Sequence, residues 1–109
     1  MKNGLEVDQF GNKYYYKDGF WHREDSPACE YANGAKRWYI YGQLHREDGP
    51  AIESSNGDKY WYVDGKCHRE NGPAIECVNG DKYWFLDGKE IYCKTNEEFL
   101  KIVKFKWLI

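Results

Sequence analysis

Apolar and polar residues alternate along this chain in short runs set off by glycine-bearing turns. The runs KYYYK at 13–17, KRWYI at 36–40, KYWYV at 59–63 and KYWFL at 82–86 each open on a lysine and are rich in rings and β-branched residues. Such runs predict β-strands, because these side chains fit a pleated, half-buried surface. A glycine precedes each run (Gly11, Gly34, Gly57, Gly80) and another follows it (Gly19, Gly42, Gly65, Gly88). Asn-Gly and Asp-Gly between alternating segments signal hairpins, since a type I′ turn needs positive φ at both central residues.

The spacing of these turns turns a set of hairpins into an array. Equivalent positions recur every 23 residues, giving full copies at 22–44, 45–67 and 68–90 and a partial copy at 1–21. A period of this size marks one supersecondary unit stacked on copies of itself. The predicted fold is all-β: an elongated, single-file array of antiparallel β-hairpin repeats over 1–90, with a C-terminal helical cap over 91–109. In that last segment Thr95 and Glu98 have capping-box spacing, and Phe99, Leu100, Ile102 and Val103 have the spacing of one helical face. An open stack needs its end covered. The alternative for this segment is a docking or dimerisation surface made by Phe99, Phe105, Trp107 and Leu108.

Turn types also predict a register. Asn56-Gly57 as a two-residue turn sets Ile52 opposite Trp61 and Ala51 opposite Tyr62; Asp64-Gly65 sets Tyr62 opposite Cys67 and Trp61 opposite His68. One face then carries Ala51, Tyr62 and Cys67 and is expected to lie inside the array. The face with Ile52, Trp61 and His68 is expected to be the more exposed.

Between units stands a motif that resembles a catalytic cluster: HREDSPA at 22–28, HREDGPA at 45–51 and HRENGPA at 68–74. The repeat weighs against catalysis. Asp25 and Asp48 become Asn71, Gly49 and Gly72 become Ser26, and no Ser or Cys stands at a fixed place beside each His. With two strands per unit, equivalent positions lie about 10 Å apart, too far for His22, His45 and His68 to share one metal ion. No catalytic residue, metal or cofactor is therefore expected. The bland reading is a corner in which Arg reaches Glu30, Glu53 and Glu76 while His packs on the adjacent Trp. The functional reading is a regular partner-binding row: His22, Arg23, Glu24, Trp38, His45, Arg46, Glu47, Trp61, His68, Arg69, Glu70 and Trp84. Aromatic and Arg residues make the strongest anchors in protein interfaces.

Composition narrows the classes further. Five Trp, ten Tyr and five Phe dominate, and a net charge of −2 over 31% charged residues gives no general basic footprint for nucleic acid. No run approaches the ~20 apolar residues of a membrane span, and the N-terminus lacks a signal-like apolar stretch, so a cytoplasmic protein is expected. Four cysteines show no C-x-x-C spacing; Cys29 and Cys67 fill apolar slots of the repeat and read as free thiols.

The stretch KYWYVDGKCHRENGPAIECVNGD resembles a MORN-repeat variant built on a W-Y-x-x-G-x-x-H-R-x-D-G-P-A core. The likeness spans Leu5 to Glu90 and departs from ordinary MORN repeats in the residues after His and in the Pro. It implies a non-enzymatic protein-interaction module. Such variants are met in bacteria, phages and giant viruses, which implies a viral or phage protein that binds and inhibits a host defence factor in the host cytoplasm. The alternatives are a small-ligand or nucleotide binder using an aromatic groove and, more weakly, a metal-dependent enzyme. The hairpin edge at Leu5 to Tyr16 offers pairing with a second copy.

Overall fold

Two kinds of turn build the chain, and they differ by one residue. The computed structural model describes residues 1–108, with side chains described through Phe105. At the second turn of each unit, Asp64 (φ 51°) and Gly65 (φ 77°) form the expected two-residue turn, and Tyr62 stands opposite Cys67. At the first turn, Gly57 N–H donates to Ser54 O at 2.9 Å and Ser54 N–H donates to Asp58 O at 2.9 Å. The loop is therefore Ser55-Asn56-Gly57, with positive φ at Gly57 alone of the three, and the Asn56 side chain accepts from Asp58 N–H at 3.0 Å. This is the three-residue hairpin in which a type I turn is followed by a glycine bulge.

That extra residue corrects the predicted register. Ile52 faces Tyr60 rather than Trp61, and Glu53 faces Lys59. Trp61 N–H instead reaches into the next unit, to Ala74 O at 2.7 Å. One consequence is a ladder of alternating charge across the sheet, Lys13, Glu30, Lys36, Glu53, Lys59, Glu76 and Lys82, each directly opposite the next. Opposite charges facing across strands support pairing.

The main sheet is antiparallel and runs through β1 (Gly4–Val7), β2 (Lys13–Lys17), β4 (Cys29–Glu30), β5 (Lys36–Arg37), β8 (Ile52–Glu53), β9 (Lys59–Tyr60), β12 (Ile75–Glu76), β13 (Lys82–Leu86) and β14 (Lys89–Ile91), with β3 (Phe20–Trp21) paired to β2. In the two central units the strand bends at Trp38 and Trp61. Two lateral hairpins result, β6 (Tyr39–Ile40) with β7 (Gln43–Leu44) and β10 (Tyr62–Val63) with β11 (Lys66–Cys67). Turn amides stitch each hairpin to the one before: Gly42 to Trp21 O, Gly65 to Leu44 O and Gly88 to Cys67 O, at 2.8–2.9 Å. The array is elongated, 47 × 31 × 18 Å. No described helix is long and apolar enough to cross a membrane.

Ala28, Ala51 and Ala74 are completely buried, as expected of the inner face. The other face is not the exposed one that the turn reading gives. Trp38 and Trp84 are buried and Trp61 is half-buried, because the strand bends at Trp38 and Trp61 and other parts of the chain close over the rings.

The last segment is a helix, α1 (Asn96–Leu108). Its first turn is capped as predicted: Thr95 Oγ1 accepts from Glu98 N–H at 3.1 Å, and Glu97 and Glu98 sit favourably at the positive end of the helix dipole. Phe99 is fully buried against Trp84 and Leu86, with Val103, Ile91 and Cys93 around it. The buried face is narrower than predicted, since Leu100 and Ile102 are exposed, as is Phe105. The Trp107 and Leu108 side chains lie outside the described residues.

Replacing Phe99 with Ala should remove about 3 kcal/mol of stability, the usual cost of emptying a large buried ring site. Leu100→Ala, at an exposed position, should be near neutral. Urea unfolding of both variants checks the contrast.

Candidate functional site

The three corner loops share one internal bonding scheme, in which His and Arg point into the array. His22 Nδ1 accepts from Tyr41 N–H at 2.9 Å, His45 Nδ1 from Asp64 N–H at 3.0 Å and His68 Nδ1 from Asp87 N–H at 2.9 Å. Each histidine thereby caps the second turn of its own unit, always 19 residues downstream. With Nδ1 accepting a backbone proton, Nε2 is the ring nitrogen left to donate. That nitrogen faces the carboxylate two residues on: Glu24 at 3.7 Å, Glu47 at 3.6 Å and Glu70 at 3.4 Å. His22 is buried and packs on the Tyr41 ring, with centroids 4.3 Å apart.

The ring that was expected to carry His carries Arg instead. The Arg46 guanidinium lies 3.9 Å from the centre of Trp38, Arg69 lies 3.9 Å from Trp61, and Arg23 lies 3.8 Å from Tyr15. In each loop Nη1 also donates to a proline carbonyl: Pro27 at 3.3 Å, Pro50 at 3.1 Å and Pro73 at 3.0 Å. The expected partners are there as well, with Glu30, Glu53 and Glu76 at 3.8, 3.6 and 2.6 Å. Arg46 adds Asp48 at 2.9 Å through Nε.

This scheme explains the glycine slot. Gly49 and Gly72 do not have positive φ. A Cβ there would come within 2.8 Å of Arg46 Cζ and 3.0 Å of Arg69 Cζ, so the slot is small because the guanidinium passes over it. Where Ser26 occupies the slot, the neighbouring Arg23 makes the longest proline-carbonyl and glutamate contacts of the series.

Trp84 has no further corner loop to cover it, and the helix supplies the substitute. Its Nε1 donates to Asn96 Oδ1 at 3.1 Å, and Phe99 packs against the ring with centroids 6.3 Å apart. Asn96 also reaches back to Asn71 O at 3.4 Å. Sequence reasoning missed Asn96, Tyr41, Asp64 and Asp87 as partners. The constant 19-residue separation was a usable signal, although the turn residues act through backbone N–H and leave no side-chain signature.

What remains outside is acidic. Glu24, Glu47 and Glu70 have side chains 73%, 81% and 64% exposed, and Asp48 is 88% exposed. Successive loops enclose two equivalent clefts. One of about 800 Å³ has Trp61, Pro50 and His68 in its walls, with Glu47, Asp48 and Glu70 among its lining; its copy one unit earlier, about 680 Å³, has Trp38, Pro27 and His45 with Glu24, Asp25 and Glu47. Among the described residues, no group of three or more His, Cys, Asp or Glu is placed to hold a metal ion.

All four cysteines are free. Burial pushes the Cys29 and Cys67 thiols from 9.0 to about 11. Compared with known proteins, the chain matches no family model, no curated protein and no solved structure.

His45→Ala should cost about 1 kcal/mol by leaving the Asp64 amide without its partner, whereas His45→Asn, whose Oδ1 can replace Nδ1, should recover most of that loss in urea unfolding. At pH 8 a disulfide reagent should label Cys77 and Cys93 well ahead of Cys29 and Cys67, because the thiolate is the reactive species. Folding keeps those two buried thiols neutral. Their contribution to stability is thus full below about pH 9 and is lost as pH rises from 9 towards 11, visible as a falling urea midpoint.

Proposed function

We propose that this chain is a non-enzymatic protein-binding module whose working surface is the row of corner loops. The observation that carries the reading is the division of labour inside each loop. Arg and His are consumed by bonds that hold the array together, while Glu24, Glu47 and Glu70, each touching only the edge of its own histidine, and Asp48, bonded through one oxygen to Arg46, expose most of their carboxylates beside equivalent clefts walled by Trp38 and Trp61. A surface of this kind is held ready by the fold, so little ordering cost falls on binding. Repetition lets one elongated partner engage two clefts at once.

The chemistry selects a partner bearing Arg or Lys side chains, which can reach the rim carboxylates while their stems lie along the Trp and Pro walls. Arg46 and Arg69 also line the first cleft but are already bonded to Glu53 and Glu76, so a nucleotide's phosphates there would meet the exposed Glu47, Asp48 and Glu70, which favours a cationic partner over that alternative. Blocking a host factor, the role implied by the resemblance to viral and phage repeat proteins, is one form of this reading. Of the proposed row, the glutamates make the contact and the arginines and histidines position the loops.

The direct test is calorimetric titration with an arginine-containing peptide long enough to span two clefts, against the wild type and the triple variant Glu24→Gln, Glu47→Gln, Glu70→Gln. Saturable binding that weakens with salt, and at least tenfold in the variant, is the expected result. Equal binding by both proteins, or none by the wild type, would count against the proposal.

A further inference from the structure

We infer that the free edge of β1 is a self-complementary surface that pairs with β1 of a second copy of this chain. Strand β1 ends the main sheet, and among the described residues no strand pairs with its outer side. The direction of its backbone groups follows from β2. Tyr15 N–H donates to Ala28 O at 2.8 Å and Tyr15 O accepts from His22 N–H at 2.9 Å, so both groups of Tyr15 point away from β1. Leu5 is directly opposite Tyr15. In an antiparallel pair of this kind the facing residues turn their N–H and C=O groups away from each other, so those of Leu5 point outward. By alternation the same holds for Val7; on the other side Gly4, with φ 86°, ends the regular alternation. Asp8 N–H bonded to Asn12 O at 3.0 Å and Lys2 O accepting from Gly19 N–H at 2.8 Å fix the even-numbered residues as inward-facing.

An antiparallel partner must therefore match outward residues to outward residues. Pairing β1 with itself about Leu5 does so: Leu5 faces Leu5 of the second copy on the two-fold axis, Asn3 faces Val7, Gly4 faces Glu6 and Lys2 faces Asp8. The central Leu5 pair exchanges both backbone bonds. The side chains suit the same register. Leu5 and Val7 are exposed in the single chain and come together across the axis, and Lys2, which already pairs with Glu6, meets an opposite charge. Shifting the register so that Glu6 is central also matches outward residues, but it sets Glu6 against Glu6, and like charges directly opposite oppose pairing. The charges thus select the Leu5-centred register.

Because both copies use the same edge, the pairing closes after two chains and leaves no β1 edge for a third. This interaction uses the opposite end of the array from α1 and none of the corner-loop carboxylates, so it stands independently of the proposed binding face.

Sedimentation equilibrium of the full chain tests the inference. The expected mass is twice 13.0 kDa at high concentration, with reversible dissociation on dilution. Leu5→Lys places like charges on the axis and should raise the concentration of half-dissociation at least tenfold. Leu5→Pro removes an outward N–H that makes no bond within the chain, which an edge position tolerates, and should do the same. Circular dichroism of both variants should match the wild type. A wild-type mass of 13.0 kDa up to about 1 mM, the weak limit for a specific contact, would overturn the inference. So would a dimer of unchanged affinity in both variants.

Discussion

The contact on which the array depends is an arginine set over the ring of the unit before it. Arg46 on Trp38 and Arg69 on Trp61 bridge consecutive copies at the point where the strand bends away from the main sheet. A bent strand leaves a large ring with one face uncovered, and a planar guanidinium covers it while keeping its charge satisfied at the rim. The carbonyl of the loop proline and the sheet glutamate complete that satisfaction. Lysine offers a point charge without the plane, so it does not meet the same demand. Around this contact the remaining features of the loop fall into place: a glycine where the guanidinium passes, a proline whose carbonyl faces inward, and a histidine that caps the following turn.

The same requirement accounts for the end of the array. Trp84 is the ring whose covering loop does not follow, and helix α1 takes that place with Phe99 and Asn96. The helix is thus a substitute for the next corner, which explains why its buried stripe is narrow. One ring site has to be filled, and Phe99 with Val103 beside it suffices.

Much of the fold was legible because it rests on local chemistry. The repeat period, the Asp-Gly turns, the Thr95 cap, the buried alanines and the Arg-to-Glu contacts all follow from residue type and spacing. The first-turn register was not, because Asn56-Gly57 suits both a two-residue turn and a three-residue turn with a glycine bulge, and the choice flips every side chain of the strand. That one residue moved Trp61 from a pairing position to the bend. The site was read in part: the His-Arg-Glu row is real as a repeated unit, but it splits by depth. Arg and His turn inward and Glu faces solvent, a division that depends on the bend and so on tertiary structure.

The inward half is committed to the fold and the carboxylates of the outward half are exposed, which is the physical basis for proposing them as the recognition surface. The claim on which this rests is that the arginine and the ring are energetically coupled across units. A double-mutant cycle on Arg46 and Trp38, using Arg46→Leu and Trp38→Leu and the double variant in urea unfolding, measures that coupling free of other losses. The account predicts a coupling of about 1 kcal/mol or more. Additive effects of the two substitutions would contradict it.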